Sequence, residues 1–263
     1  MEKYELLSCP NCRNALRQSA GQFACDACRT CFSTTDGIPD LISAEGGLEQ
    51  ASFVRRAYGR FFDLIAPLYE STAWYQLTLN LSGARGNSIE TIADFLNGCL
   101  SGVTGTVLDV ACGTATYSRR IALPTRAVYG IDLSFGMLRQ GLRYLGGSSI
   151  DNVWLARANV MALPFGSAIF DGATCAGSIH LFPDPAAALR EVRRTMKEGA
   201  PLAVQTFLPK KQGRRSVKAR TGFHEYEPDE LMDLLQEAGF GGLSMKSQGT
   251  VLYASGKRPK AGA

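Results

Sequence analysis

The sequence predicts an α/β protein, a doubly wound and mostly parallel sheet preceded by a small cysteine-rich unit. Three observations predict it. From Thr106 onward, apolar runs of strand length alternate with amphipathic stretches of helical period, the pattern of strand–helix–strand units closing on a parallel sheet. Five of the eight cysteines fall between Cys9 and Cys31. A chain of 263 residues, 45% hydrophobic and 20% charged, holds enough apolar material for one large core and a small appendage.

The same composition excludes several classes. It is too apolar for a disordered chain and lacks the repeats of a fibrous one. A formal net charge of +4 is well short of the charge density that by itself implies wrapping a polyanion. No apolar run reaches the length of a membrane span, and the opening "MEKYELLSCPNC" lacks the basic end and apolar centre of a signal peptide. The expectation is therefore a soluble, cytoplasmic protein. In a reducing compartment, clustered cysteines point to metal rather than disulfides.

The cluster reads Cys9-Pro-Asn-Cys12, twelve residues, Cys25-Asp-Ala-Cys28. Each knuckle sets two thiolates on one tight turn, and two knuckles close a tetrahedron around zinc, which a segment this short needs because it cannot bury a core. Four protein sulfurs leave no open position, so the site is structural. Cys31, three residues past Cys28, is an alternative fourth ligand. After the knuckles, "CFSTTDGIPDLIS" turns at Asp36-Gly37. With these elements, residues 4–43 resemble the zinc ribbon of the small activator subunits of tRNA and protein methyltransferases. Residues 1–43 are assigned to this ribbon, and Cys9→Ser is expected to destabilise them while leaving the cofactor pocket intact.

Residues 44–52, with glycine and charge, read as a linker. Beyond it, Phe53, Val54, Ala57, Tyr58, Phe61, Ile65 and Leu68 recur at helical spacing until Pro67 limits the helix. This stripe packs into a core or covers a ligand as a lid. Strands are expected at 106–110, 127–131, 153–156, 170–176 and 202–207. Asp184-Pro185 reads as an N-cap followed by proline at the first helical position, with Leu189, Val192 and Met196 inward and Gly199 as the stop. A last helix starts behind Pro228, buries Leu231, Leu234, Leu235 and Ala238, and ends at Gly239.

In a doubly wound sheet, ligands bind at the carboxyl ends of the strands, just after the first one. There the sequence reads "VLDVACGTATY", residues 107–117, a strand running into a small-residue turn. Glycine loops of this kind use their residues for a tight turn, close backbone approach and helix packing. Only Gly113 remains glycine; Ala111 and Ala115 stand where others would, and are expected to cost little if their φ is negative. Asp132 closes the next strand, where an acid can accept hydrogen bonds from both hydroxyls of a ribose.

The order of four segments at strand ends, "VLDVACGTATY", "AVYGIDLS", "RANVMALPF" and "FDGATCAGSIHLFPDP", resembles class I S-adenosylmethionine-dependent methyltransferases, specifically the type-11 domain of quinone and natural-product enzymes. The resemblance covers about residues 53–255, followed by a tail at 256–263, and implies a seven-stranded Rossmann-like sheet. It further implies that Asp109 and the backbone of Ala111, Cys112, Gly113 and Thr114 border the methionine moiety, Asp132 the ribose, Leu133 and Met137 the adenine faces, and Asn159 with Val160 the adenine edge. Tyr58 on the lid joins the cofactor set. The family usually carries Asp where this chain has Asn159, whose carbonyl oxygen can accept the same bond.

Two histidines are candidates for handling a proton, His180 in "GSIHLF" after the fourth strand and His224 in "GFHEYE". His224 follows a basic run, "PKKQGRRSVKAR", which reads as a solvated loop. The leading expectation is methyl transfer to a small, fairly apolar metabolite such as a quinone, polyketide or tetrapyrrole-like compound. The alternatives are an RNA base methyltransferase gripping RNA with its ribbon, and a non-catalytic binding protein that kept the fold.

Overall fold

The protein is described from a computed structural model covering residues 4–19, 21–42, 61–71, 87–209, 224–260 and 262. The linker, Phe53, Val54, Ala57, Tyr58 and most of the basic run lie outside the described residues.

Four short antiparallel strands build the N-terminal unit: β1 (Arg17–Ser19), β2 (Gln22–Ala24), β3 (Cys31–Thr35) and β4 (Ile38–Pro39), hydrogen-bonded in that order. Phe23 and Phe32 face each other across β2 and β3, and both are buried. The Asp36-Gly37 turn joins β3 to β4 as a two-residue hairpin. Both residues are left-handed, at φ 53° and 77°, the backbone that an Asp-Gly pair adopts at least cost.

The seven-stranded sheet comprises β5 (Gly105–Val110), β6 (Arg126–Asp132), β7 (Val153–Arg157), β8 (Gly172–Ala176), β9 (Pro201–Phe207), β10 (Gly241–Gln248) and β11 (Val251–Lys257). Its order is β10-β11-β9-β8-β5-β6-β7, parallel from β7 through β9, with β11 and β10 added antiparallel. The strand order reverses between β5 and β8, so the loops leaving these strands open beside one another. The expected strands lie within one or two residues of those observed. The terminal hairpin supplies the two that the apolar pattern did not mark.

Alternation along the strands sorts the core into two layers. Val107, Val128, Leu155 and Val251 pack with Ile92 and Leu96 of helix α1 (Ile89–Cys99). Ile121 of α2 (Ser118–Ile121) and Leu138 and Leu145 of α3 (Phe135–Gly146) lie in the same layer. On the other face Leu108, Tyr129, Leu202 and Leu252 pack with Leu189 and Val192 of α4 (Pro185–Thr195) and with Leu231 and Leu235 of α5 (Pro228–Glu237). Asp184 caps α4 by accepting from Ala187 N at 2.9 Å, with Pro185 at the first position. That helix stops at Thr195, four residues before the glycine expected to end it. Among the described residues, no helix is long and apolar enough to cross a membrane.

The N-terminal unit is not a separate body. Tyr4, Leu7, Phe23, Phe32 and Leu41 belong to the same buried cluster as Leu108, Tyr129 and Ala156 of the large sheet. The Tyr4 hydroxyl donates to Leu155 O at 3.1 Å. The chain leaving β4 then runs parallel to β7, with Asp40 beside Arg157 and Leu41 N donating to Arg157 O at 2.8 Å. The ribbon thus covers the open edge of the sheet, where unpaired backbone groups would invite another strand. The ribbon and the large sheet share this buried cluster.

Candidate active site

The loop leaving β5 is built on left-handed residues. Ala111, Gly113 and Ala115 have φ of 54°, 56° and 60°. The condition under which the two alanines would cost little, a negative φ, is not met: the loop holds its turns with both Cβ atoms in the crowded region of backbone space. Cys112 N donates to Ile131 O and Ala115 N to Cys112 O, each at 2.9 Å, and these bonds fix the alternation. A Cβ built on Gly113 would meet nothing within 4 Å, so the loop apex faces open space where a ligand can approach the backbone. Such strain costs about 1–2 kcal/mol per residue. Ala111→Gly is expected to raise stability by up to about 1 kcal/mol, part of the relief being offset by the freer unfolded chain. A lower urea midpoint for the variant would contradict this.

Asp132, at the end of β6, is fixed from two sides. Its Oδ2 accepts from Gly113 N and its Oδ1 from Ser134 N, both at 2.9 Å. Burial pushes its carboxyl above the ordinary carboxylate value, against the pull of these backbone donors. Ser134 in turn caps α3, accepting from Met137 N at 3.0 Å.

Residues 61–71 lie across this corner as a lid. Residues 61–65 are helical, and Ala66–Leu68 form a 3-10 turn around Pro67. Asp63 Oδ1 accepts from Ser134 Oγ at 2.5 Å and from Gly136 N at 2.9 Å. Only glycine permits that approach, because a Cβ at position 136 would sit 2.6 Å from Asp63 Cα. Glu70 accepts from Thr114 Oγ1 at 2.6 Å, Thr116 Oγ1 at 2.7 Å and Arg119 Nη2 at 2.5 and 2.6 Å. Between these two anchors Ile65 and Ala66 pack on Met137, flanked by Phe62 and Tyr69.

In the ribbon, the sulfurs of Cys9, Cys12, Cys25 and Cys28 all lie within 4.8 Å of one another. Cys9 and Cys28 lie 3.5 Å apart, and Cys12 and Cys25 3.3 Å. A tetrahedral zinc with Zn–S of about 2.3 Å needs sulfurs about 3.8 Å apart, so the donor set fits that ion. Cys31 is exposed on β3 and is not one of the four.

Likenesses to known proteins bear on this corner directly. Residues 107–199 match the family model described as a methyltransferase domain. The fold is shared with the Haemonchus contortus phosphoethanolamine N-methyltransferase 2 solved with S-adenosylmethionine, at a TM-score of 0.59 and 12% identity over 74% of this chain and 60% of that one. Residues 107–199 thus carry a methyltransferase domain on a fold that solved methyltransferases share. An uncharacterized chloroplastic methyltransferase of Arabidopsis thaliana is 25% identical over 97% of this chain and 79% of its own length. The demethylmenaquinone methyltransferase of Listeria welshimeri is 37% identical over 42% of this chain, which spans 49% of that relative.

Within this domain, Asp109 is buried beneath the loop, accepting from Ser118 Oγ at 2.5 Å and Thr174 Oγ1 at 2.8 Å. Burial pushes its carboxyl up to about 6, the two hydroxyls pulling the other way. A carboxyl that titrates higher in the folded than in the unfolded chain binds its proton more tightly when folded, so its contribution to stability is present below about pH 4 and is lost as pH rises to about 6. The gap between the folded and unfolded values corresponds to roughly 2–3 kcal/mol. Relative to wild type, Asp109→Asn is expected to gain about that much stability between about pH 4 and about pH 7 in urea titrations. A difference that does not change with pH would contradict it.

The remaining expected residues spread around the same mouth. Leu133 is 41% exposed, while Met137 lies buried under the lid. Asn159 Oδ1 accepts from Met161 N at 3.0 Å, and Val160 is buried beside it. His180 is buried on a 3-10 turn, Nδ1 3.3 Å from Thr206 Oγ1, and burial lowers its pKa to about 3, so it stays neutral and is a poor proton acceptor. His224 N donates to His180 O at 3.0 Å, bringing the two histidines together, and His224 Nε2 lies 2.6 Å from Glu230. Tyr58 lies outside the described residues. Sequence reasoning missed Asp63, Glu70, Thr116 and Arg119. Their signal was the pair of acids bracketing the apolar lid and the basic residue just after the glycine loop.

Proposed function

We propose that the protein transfers a methyl group from S-adenosylmethionine to a small, fairly apolar acceptor. What carries this reading is the lid, fastened by Asp63 to the β6–α3 turn and by Glu70 to the β5 loop, with Phe62, Ile65 and Tyr69 packed against Met137 of α3. An apolar cover over this corner suits a small organic molecule better than a folded polyanion. The similarity to a demethylmenaquinone methyltransferase supports a quinone-like acceptor.

In this reading Asp132 holds the ribose, Leu133 and Met137 flank the adenine, Asn159 and Val160 line its edge, and the backbone from Ala111 to Thr114 follows the methionine end. The cofactor, when bound, supplies an electrophilic methyl on a cationic sulfur. The chain's residues then have to hold the acceptor in line with that methyl and exclude water, and positioning of this kind supplies roughly 7–11 kcal/mol of the barrier. His224, paired with Glu230, is the better placed of the two histidines to take a proton, and neutral His180 serves as a positioning group. Zinc held by Cys9, Cys12, Cys25 and Cys28 keeps the ribbon folded.

The test is partition of label. With tritiated S-adenosylmethionine and a cell extract lacking the protein, label is expected in the organic phase. Label confined to RNA would overturn the acceptor class in favour of an RNA methyltransferase.

A further inference from the structure

Arg157 ends β7 at the point where the ribbon, the β6–α3 turn and the cofactor corner meet. Its Nη1 donates to both oxygens of Asp40, at 3.2 and 3.0 Å, and its Nε donates to Leu133 O at 2.8 Å. Its guanidinium lies over the Phe135 ring, 4.6 Å from the centroid. Leu133 directly follows Asp132, and Phe135 is the first residue of α3. One side chain therefore clamps both ends of the turn that carries the ribose acid and the exposed adenine-side leucine.

The ribbon supplies what keeps that clamp in place. Asp40 is the only carboxylate paired with Arg157 among the described residues, and both side chains are about four-fifths buried, at 22% and 18% exposure. Leu41 N holds the Arg157 carbonyl at the same time. A planar guanidinium can meet a carboxylate, a carbonyl and an aromatic face at once, which an ammonium cannot. Without Asp40, a mostly buried cation would keep one carbonyl as its polar partner, and the turn would lose its fixed position. Asp36 also reaches Arg139 of α3, but that pair is exposed and screened.

We propose that the ribbon braces the nucleoside half of the cofactor site, with Asp40 and Arg157 as its positioning residues. The inference rests on the reading that the site takes S-adenosylmethionine, and it gives the ribbon a task inside its own chain.

The test is calorimetric binding of two probes to the full-length, zinc-loaded protein: S-adenosylhomocysteine, and 5′-methylthioadenosine, which lacks the amino-acid end. Asp40→Asn is expected to weaken both by the same factor, about tenfold, a typical coupling between linked sites. Asp40→Glu should recover most of the affinity, and Asp36→Asn should change it less than about twofold, as for an exposed pair. Stripping the metal from wild type should weaken both probes as Asp40→Asn does. If Asp40→Asn unfolds, Arg157→Lys takes its place, keeping the charge but losing the fork, with the same expected loss. Wild-type affinity in a folded Asp40→Asn protein, or a loss for S-adenosylhomocysteine alone, would overturn the brace. If wild type binds neither probe, the cofactor reading itself fails.

Discussion

Asp132→Ala is expected to bind S-adenosylmethionine at least about tenfold more weakly than wild type, with the fold retained. The substitution removes more than a partner for a ribose. Asp132 is the one group that holds both Gly113 N, at the apex of the β5 loop, and Ser134 N, at the cap of α3. Losing a charged acceptor for two backbone donors costs about 1.5–3 kcal/mol of local order per bond, and a tenfold loss of affinity is about 1.4 kcal/mol, within reach of losing even one of them. Calorimetry reports the affinity, and circular dichroism confirms that the sheet persists. Unchanged affinity would mean that the ribose lies elsewhere and that the order of cofactor residues along the strand ends is wrong.

The second large effect concerns the ribbon. Removing its metal, or substituting Cys9→Ser, is expected to melt residues 4–42 while the inner strands of the seven-stranded sheet stay folded. Cys9 is fully buried and the four short strands carry few apolar side chains of their own, so metal binding supplies a large part of their folding free energy, as in other small cysteine sites. Metal analysis should find one zinc per chain in wild type and none in Cys9→Ser. Hydrogen exchange should become fast in β2 and β3, while amides of β5, β8 and β9 keep their protection. Leu41 N should exchange early, because its acceptor, Arg157 O, sits on the sheet edge that the ribbon leaves when it unfolds. Slow exchange throughout β2 and β3 in metal-free protein would contradict a structural zinc.

How much of this was legible in the sequence follows from what each feature depends on. The parallel strands announced themselves because both faces of β5, β6 and β9 are buried and their sequences are largely apolar. The β10–β11 hairpin did not, because exposed and half-buried positions alternate along β10 with serine, lysine and glutamine among them. The knuckle spacing pointed to Cys9, Cys12, Cys25 and Cys28 without needing the fold, but the choice of Cys28 over Cys31 needed the geometry. Loop conformation was harder: small residues at 111 and 115 indicated a tight turn, but the sign of φ comes from hydrogen bonds to Ile131 and within the loop, which the local sequence does not contain. The lid anchors and the Asp40–Arg157 pair were hidden for another reason. Their partners are 44 to 117 positions apart in the chain, and single acids and bases carry no period to mark them.

The central claim is that the β5 loop, Asp132 and the lid together form a working cofactor site despite two alanines in strained turns. The measurement that tests it most directly is a calorimetric titration of the folded, zinc-loaded protein with S-adenosylmethionine. One site per chain, with an affinity that falls at least about tenfold in Asp132→Ala, is the result expected. No binding at millimolar cofactor would contradict the account and leave a methyltransferase fold that has given up its cofactor.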